Sequence, residues 1–381
     1  MPIRYERQIA DLKNLTGDLN RSTHDVLERI REAQAELAPF SRLIAFVHIP
    51  KTAGATVKFM FANAFTRGAV RNAGNFLVHP EATAIRVTTP PKGGWDAWIR
   101  EGGRVTAGHV PYGLFHQHLP PDTRYMTFLR DPVERVLSHY YRHMRLSGLP
   151  KDQTKLKRGA VLTTTIEEAL ELRPPEITNL ATRFLCRFPA PPGALPPSAL
   201  DDAKANLRDF AFVGIQEQFE ESIVLLQRRF DLGLVPYLNR HVSTDRPTSR
   251  EIPDEQRAKI AEQNRLDEEL YEYARRLFDD AVADAGEGFA DDVDTLRDKS
   301  ADTNAEAIRK ARDWLLRELP VGSSKPRVEL FARAERAGVA AVALKDLVHV
   351  LPVTTANDED GQKVWSLTEE AHSSALQADL R

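Results

Sequence analysis

Two apolar runs that each break at a polar turn and continue as a helical pattern constrain the fold of this chain most strongly. Residues 43 to 56 read LIAFVHIPKTAGAT, and residues 125 to 141 read YMTFLRDPVERVLSHYY. Each run has the length of a buried strand, and each turn places a basic residue near hydroxyl groups. Strands that alternate with helices in this way are typical of a parallel α/β sheet. Two such turns predict a ligand with phosphate at both ends.

Composition limits the class of protein. The chain has 381 residues, 42% of them hydrophobic, which suits one large domain with smaller appendages. A net charge of −3 argues against bulk electrostatic capture of nucleic acid. The single cysteine, Cys186, excludes an intramolecular disulfide and fits a reducing compartment. The sequence contains neither the roughly 20 apolar residues of a membrane helix nor a signal-peptide pattern. We therefore expect a cytoplasmic protein without a membrane contact.

The pattern divides the chain into five segments. Residues 1 to 40 predict an N-terminal helical segment, packed on its own core or paired with a second copy. Residues 41 to 283 predict the α/β domain. Its expected strands are Leu43–His48, Arg104–Ala107, Arg124–Leu129 and Phe210–Val213. Its expected helices are Ala55–Phe65, Pro132–Arg145, Ile166–Glu171, Phe219–Phe230 and Asp254–Asp280.

The C-terminal residues predict a second, smaller module. Residues 284 to 304 are acidic and predict a linker. Residues 305 to 370 predict helices at Ala305–Leu319 and Arg327–Ala337, a third after Gly338, and a hairpin turning at Asp360–Gly361. This is the order of a winged helix-turn-helix, and residues 371 to 381 form a tail. Residues 301 to 381 hold 11 Lys or Arg against 13 Asp or Glu. We therefore expect protein contact or dimerisation in preference to nucleic-acid binding.

The first turn, residues 49 to 56, has the composition of an anion-binding loop. The helix after it presents backbone N–H groups and the positive end of its dipole to the loop. Lys51 adds a positive charge, Thr52 and Thr56 offer hydroxyl donors, and Gly54 lets the backbone approach a ligand. The lysine precedes the glycine, so this is not a Walker A motif. An ordinary strand–helix connection with a solvent-facing lysine remains the alternative.

The second turn combines a helix cap with residues that the cap does not explain. Asp131 fits an N-cap, Pro132 the first helical position and Glu134 the third. Arg130 ends the preceding strand at its carboxyl edge, where open α/β sheets bind ligands. Ser138 follows two helical turns later. A guanidinium and a hydroxyl suit a phosphate group, so Arg130 and Ser138 are candidate ligands of one.

In this order and spacing, the two turns resemble the signature of sulfotransferases that use 3′-phosphoadenosine 5′-phosphosulfate (PAPS). The similarity is to the branch that contains heparan sulfate 2-O-sulfotransferase and its bacterial relatives. Further matches are TAGHVPYGLF (106 to 115), NLATRFL (179 to 185) and FVGIQEQFEESIVLL (212 to 226). The resemblance covers residues 43 to 280 and implies the sulfotransferase fold, a P-loop-like parallel sheet flanked by helices. It also implies PAPS as co-substrate, adenosine 3′,5′-bisphosphate as product and no requirement for a metal.

The resemblance assigns roles to both turns. The first loop would hold the 5′-phosphosulfate with Lys51, Thr52, Ala53, Gly54, Ala55 and Thr56. The second would hold the 3′-phosphate with Arg130 and Ser138, which stand at the family's separation. Lys51 would also stabilise the departing phosphate as its charge develops.

His109, in AGHVPYG, is the candidate general base. An imidazole can accept a hydroxyl proton near pH 7, a role worth on the order of 10² to 10⁴ in rate. The histidine of this motif is the base in the family that the chain resembles. A structural hydrogen bond is the alternative. His48 is expected to orient the first loop, and His139 and His143 to serve packing or the surface.

The acceptor is less constrained. Arg183 matches the family motif at an acceptor-site position, and a packed arginine is equally consistent. Trp95 and Trp98 could stack on sugar rings, although burial in the core is the commoner use of tryptophan. The basic segment 142 to 158 could attract an anionic polysaccharide or PAPS. The polar loop at 243 to 246 matches one that closes over the nucleotide in the family.

We therefore predict a PAPS-dependent O-sulfotransferase with a carbohydrate hydroxyl as acceptor, while a lipid or small-molecule alcohol stays open. One alternative is a phosphoryl-transferring kinase, against which the missing Walker lysine and Mg²⁺ carboxylate count. The other is a non-enzymatic regulator that acts through the winged helix, which the intact set of site residues disfavours. The lack of an anchor and of disulfides departs from Golgi members of the family and favours a cytoplasmic acceptor. Copies of the chain would associate through the N-terminal helices or the C-terminal module.

Overall fold

The computed structural model of the protein describes residues 43–65, 68–75, 86–87, 89–147, 165–187, 195–238, 247–340, 343–344, 347, 353–357 and 363–367. The predictions for residues 1 to 40, for the loop at 243 to 246, for the turn at Asp360–Gly361 and for the tail lie outside these residues, as does most of the basic segment 142 to 158. The chain divides into two compact units. One contains the residues up to Val235 together with Ser243–Val293, and the other contains Pro236–Val242 and Asp294–Arg381.

A parallel five-stranded sheet forms the centre of the first unit. Its strands are β1 (Ile44–Val47), β2 (Val70–Asn75), β3 (Val105–His109), β4 (Arg124–Leu129) and β5 (Phe212–Ile215). Their order is β2-β3-β1-β4-β5, and every neighbouring pair is parallel. All four residues of β1 are buried, as expected for a central strand with both faces covered.

Helices connect the strands and cover the sheet. They are α1 (Gly54–Ala64), α2 (Gly94–Arg100), α3 (Tyr112–His118), α4 (Pro132–Ser147), α5 (Ile166–Leu172), α6 (Leu180–Leu185), α7 (Ala199–Asp209), α8 (Phe219–Arg229), α9 (Asp254–Gln263) and α10 (Arg265–Ala283). The expected cap of α4 is present, because the Glu134 backbone N–H donates to Asp131 Oδ1 at 2.9 Å. The predicted α/β fold, with a parallel sheet and flanking helices, is confirmed.

Several elements differ from the sequence expectations. Strand β2 was not predicted, because VRNAGN is polar and contains a glycine at the edge of the sheet. Strand β5 ends two residues later than expected, and β3 extends to His109. The single helix expected at Asp254–Asp280 is two helices, α9 and α10, that meet at Asn264.

The second unit contains helices and a small antiparallel sheet. Its elements are α11 (Phe289–Glu318), whose first residues belong to the first unit, α12 (Arg327–Arg336), β6 (Ser324–Pro326), β7 (Val353–Asn357) and β8 (Lys363–Leu367). The sheet order is β6-β8-β7, and Trp314, Leu330, Leu344 and Trp365 pack in its core. The two strands of the predicted hairpin are present. The winged-helix assignment and the domain boundaries stay predictions.

Residues 289 to 304 of the predicted acidic linker are helical and belong to α11, and the boundary between the two units lies within this stretch. Val293, Leu296 and Ser300 are buried at intervals of a helical face, although acidic residues surround them in sequence. Acidic composition alone therefore did not reveal that an amphipathic helix runs through this stretch.

Candidate active site

The candidate site lies at the carboxyl ends of three adjacent strands. His48 follows β1, His109 is the last residue of β3, and Arg130 follows β4. Because these strands are parallel neighbours in the order β3-β1-β4, their carboxyl ends meet at one edge of the sheet. The structure thus brings together the two turns and the histidine that the sequence singled out separately.

The first loop has an unusual backbone. Lys51 and Ala53 both adopt left-handed conformations, with φ of 77° and 58°. Left-handed residues next to right-handed ones turn successive N–H groups toward one concavity, which favours an anion. The buried Thr52 hydroxyl donates to the Ile49 carbonyl oxygen at 2.8 Å. Its proton therefore holds the loop, whereas the sequence suggested a donor to the ligand.

Gly54 lies against His48, whereas the sequence predicted that it lies against a ligand. A Cβ built at this residue would lie 2.0 Å from His48 Nε2, so the imidazole occupies the space that any side chain would need. The His48 ring is buried and stacks on Phe46, with ring centroids 5.1 Å apart. Burial, followed by the charge of His109, holds the pKa of His48 well below its usual value. His48 is thus a neutral packing residue under the first loop.

His109 has a defined tautomer. Its Nδ1 lies 2.7 Å from the His48 carbonyl oxygen, which can only accept a hydrogen bond. Nδ1 therefore carries the proton, and Nε2 carries the lone pair. The pKa of His109 is lowered to about 4, chiefly by burial; the hydrogen bond to His48 opposes this shift, and the positive charges of Lys58, Arg142 and Lys51 add to it. The imidazole is neutral at pH 7 and can accept a proton at Nε2.

Arg130 connects the two turns directly. Its Nη1 donates to the Lys51 carbonyl oxygen at 3.3 Å, and its Nη2 donates to Glu134 Oε2 at 3.4 Å. Its Nε lies 3.9 Å from Glu217 Oε1, and only 13% of the side chain is exposed. Glu217 was missed by the sequence reasoning. An acidic residue just beyond β5, at the carboxyl edge of the sheet, was the signal that could have found it.

The next residues of α4 are buried. Ser138 is 5% exposed and Arg135 is 1% exposed. Arg135 Nη1 donates to the Glu176 carbonyl oxygen at 2.9 Å, and burial lowers the pKa of this guanidinium to about 10 despite the charge of Asp267. Arg135, which the helix cap did not explain, is therefore an interior structural residue.

The three candidate acceptor residues occupy packed positions. Arg183 is buried on α6, and its Nε donates to the Thr178 carbonyl oxygen at 3.1 Å. Trp95 and Trp98 are half-buried on α2 and pack edge to face, with centroids 5.9 Å apart. The Trp98 indole also fills the space beside Gly103. Packing accounts for these three side chains, and their contact with an acceptor stays a prediction.

Comparisons with known proteins identify similar sequences. No protein-family model matches the chain. Over 279 residues it is 25% identical to heparan-sulfate 6-O-sulfotransferase 3-B of Danio rerio, covering 62% of this chain and 64% of that one. Over 178 residues it is 29% identical to human heparan-sulfate 6-O-sulfotransferase 1, covering 40% and 43%. The chain is similar to sulfotransferases.

The extent of this similarity is partial. The chain spans less than two thirds of the length of these two curated relatives. A solved structure, mouse sulfotransferase SULT7A1 complexed with PAP, is 13% identical with a TM-score of 0.29 and covers 59% of this chain and 63% of that one. The curated relatives are 6-O-sulfotransferases, and the 2-O branch stays a prediction.

The predicted cytoplasmic location was wrong. The heparan-sulfate 6-O-sulfotransferases to which the chain is similar are Golgi enzymes. The inference rested on cysteine usage and on the absence of an apolar segment, and neither observation identifies a compartment. Within the part of the chain that the structure describes, no helix has the length and apolarity needed to span a membrane.

Proposed function

We propose that this protein transfers the sulfuryl group of PAPS to a hydroxyl of a carbohydrate acceptor. The observation that carries the proposal is the contact of Arg130 Nη1 with the Lys51 carbonyl oxygen at 3.3 Å, which joins the two anion-binding turns. His109, on the strand next to β1, completes the set. The similarity to heparan-sulfate 6-O-sulfotransferases supports both the reaction and the class of acceptor.

The residues present fit a nucleotide with phosphate at both ends. The left-handed residues Lys51 and Ala53, followed by the N-terminus of α1, suit the 5′-phosphosulfate. The residues that would hold it span the loop and the first residues of α1, namely Lys51, Thr52, Ala53, Gly54, Ala55 and Thr56. Arg130 and Ser138 would hold the 3′-phosphate. PAPS supplies a sulfuryl group that is activated by its bond to phosphate.

His109 then acts as the general base. Its Nε2 accepts the proton of the acceptor hydroxyl, while Nδ1–H stays bonded to the His48 carbonyl oxygen. That carbonyl dipole stabilises the imidazolium that forms. Lys51 places its positive charge at the first loop, where the departing phosphate gains negative charge. Each step thus uses a residue that lies in the cluster at the carboxyl edge of the sheet.

The acceptor position is a finer proposal. The curated relatives are 6-O enzymes, whereas the motifs of the two turns resemble the 2-O branch. The resemblance to the 2-O branch stays a prediction and the sulfated position stays open, with Arg183, Trp95 and Trp98 as the proposed contacts of the acceptor. Analysis of the disaccharides released from the product distinguishes a sulfated uronic acid from a sulfated glucosamine.

The C-terminal unit has a proposed role apart from transfer. Its near balance of acidic and basic residues supports contact with protein or with a second copy over binding to nucleic acid. The N-terminal segment is a second candidate for association between copies. Light scattering on the full chain measures whether it is an oligomer.

A transfer assay with radiolabelled PAPS and chemically O-desulfated heparan sulfate tests the central proposal. The wild-type chain is expected to label the polysaccharide. His109→Ala is expected to lose at least about a hundredfold in rate, because the base is absent. It should still be stabilised against heat by adenosine 3′,5′-bisphosphate. His118→Ala, an exposed histidine on α3, is the matched control. Full activity of His109→Ala would overturn the assignment of the base, and failure of the wild-type chain to use PAPS would overturn the function.

A further inference from the structure

Two carboxylates flank the Arg130 guanidinium, and each is anchored through its other oxygen. Glu134 Oε2 faces Arg130 Nη2, while its Oε1 accepts from the Ser249 backbone N–H at 2.6 Å. Glu217 Oε1 lies near Arg130 Nε and accepts from the Asp131 backbone N–H at 3.1 Å. Glu217 Oε2 accepts from the Tyr271 hydroxyl at 2.8 Å. Neither carboxylate is therefore held by the arginine alone.

Tyr271 is a fixed donor to Glu217. It lies on α10, is 8% exposed and belongs to the main hydrophobic core. Burial raises the pKa of its hydroxyl, and the charge of Glu217 raises it further, so the hydroxyl stays protonated. The hydrogen bond from Tyr271 thus ties the Glu217 carboxylate to the core, while the Asp131 N–H ties it to the β4–α4 turn.

Two hydrogen bonds and one ion pair, with Glu217 at 3.9 Å, surround the Arg130 guanidinium. The Lys51 carbonyl lies at Nη1, Glu134 at Nη2 and Glu217 at Nε. A guanidinium binds phosphate with two parallel hydrogen bonds only when its plane is correctly oriented. An arginine side chain has several rotatable bonds, so contacts that fix the plane before the ligand arrives favour binding.

The negative charge of Glu217 also opposes an incoming phosphate. Its side chain is 38% exposed, however, and water and salt screen charges at such a position. The guanidinium that it orients is 13% exposed. Orientation should therefore outweigh repulsion.

We propose that Glu217, anchored by Tyr271, is a positioning residue that holds Arg130 in the orientation needed to recognise a ligand 3′-phosphate. This inference rests on the proposed function, and it adds a residue that acts through Arg130 without touching the ligand.

The test measures the preference for a 3′-phosphate, defined as the ratio of the dissociation constants of adenosine 5′-phosphate and adenosine 3′,5′-bisphosphate. The dissociation constants of adenosine 3′,5′-bisphosphate and adenosine 5′-phosphate are measured by calorimetry on the full-length chain and its variants. Glu217→Gln keeps the shape of the side chain and an acceptor for Tyr271. It is expected to reduce the preference about threefold, a smaller loss than removal of Arg130 itself, because one modest polar contact is weakened. Tyr271→Phe keeps the carboxylate charge and is expected to reduce it in the same direction. Glu221→Gln, which removes a charge from the first turn of α8, is the matched control and should leave the preference unchanged.

The ratio separates positioning from a general loss of structure, because both ligands are measured on the same variant. A wild-type chain with no preference for the 3′-phosphate would overturn the proposed nucleotide site itself. A wild-type preference that Glu217→Gln and Tyr271→Phe both retain would overturn only the positioning role. If Glu217→Gln does not fold, Tyr271→Phe decides the question.

Discussion

His109 combines a half-buried imidazole with a fixed tautomer, since its Nδ1 donates to the His48 carbonyl oxygen. The rings of the two histidines lie 4.2 Å apart, and the His48 ring fills the space beside Gly54. The proposed base is therefore supported by the same loop that is proposed to hold the phosphosulfate. A change in the packing under that loop would also move the base.

The pH dependence of the reaction follows from this environment. The pKa of His109 is lowered from 6.5 to about 4, so its neutral form persists well below pH 6.5. We expect kcat/KM, which follows the free enzyme, to be level from about pH 7 to 5 and to fall as the pH approaches about 4. An acid limb centred near pH 6.5 would contradict the assigned environment.

The stability of the fold also changes between about pH 6.5 and about pH 4, so it must be measured alongside the activity. The unfolded chain binds a proton on His109 below about pH 6.5, whereas the folded chain does so only near pH 4. The free energy of unfolding therefore decreases as the pH falls through this window. Circular dichroism at each pH shows whether lost activity reflects protonation of the base or unfolding.

At the residue scale, the sequence predicted which residues lie at the site better than it predicted what each residue contacts. Lys51, Arg130 and His109 could be singled out because their motifs occur together in the order and spacing of a known signature, although each residue alone also has a structural interpretation. Thr52 lies in the loop as predicted and Gly54 begins α1, but their contacts with Ile49 and His48 depend on how the loop folds back. Glu217 was missed because its partners, Arg130 and Tyr271, are far away in the sequence.

At the scale of secondary structure, α6 and α10 cap each other. Asn179 Oδ1 accepts from the backbone N–H groups of Leu266 and Asp267 at the start of α10. In return, Asp267 accepts from the backbone N–H groups of Ala181 and Thr182 and from the Thr182 hydroxyl. Each helix N-terminus thus receives acceptors from the other.

Asp267→Ala should be strongly destabilising. Asp267 is 1% exposed, and its removal would leave three buried donors without their acceptor. We expect the free energy of unfolding to fall by about 3 kcal/mol, measured by urea denaturation. Glu272→Ala, on the exposed face of the same helix, should cost less than about 0.5 kcal/mol. Equal effects of the two substitutions would show that the reciprocal caps contribute little.

At this scale, the elements that the sequence predicted well were the apolar ones. The strand at Arg124–Leu129 was predicted with its observed bounds because it is an apolar run before a strong helix cap. Strand β2 was not predicted because an edge strand needs little apolar character. The break at Asn264 was not predicted either. The Asn264 side chain donates to the Ile177 carbonyl oxygen and accepts from the Asn179 backbone N–H, and both of these residues are distant from it in sequence.

At the scale of the whole first unit, strand order assembles the site. Strand β1 lies between β3 and β4, although β2 separates it from β3 in sequence. The turns that follow these strands therefore meet at one edge. The alternating pattern predicted a parallel sheet, but the order of the strands depends on crossover connections that no local pattern encodes.

The central claim is that the Lys51 loop and the Arg130 turn bind the 5′ and the 3′ phosphate groups of one nucleotide. The most direct test is a cycle in which the ligand 3′-phosphate and the Arg130 side chain are removed singly and together, with dissociation constants from calorimetry. We predict that wild-type protein binds adenosine 3′,5′-bisphosphate at least about tenfold more tightly than adenosine 5′-phosphate, and that Arg130→Ala abolishes most of this preference. An equal preference in both proteins would contradict the claim, because the 3′-phosphate would then be recognised elsewhere.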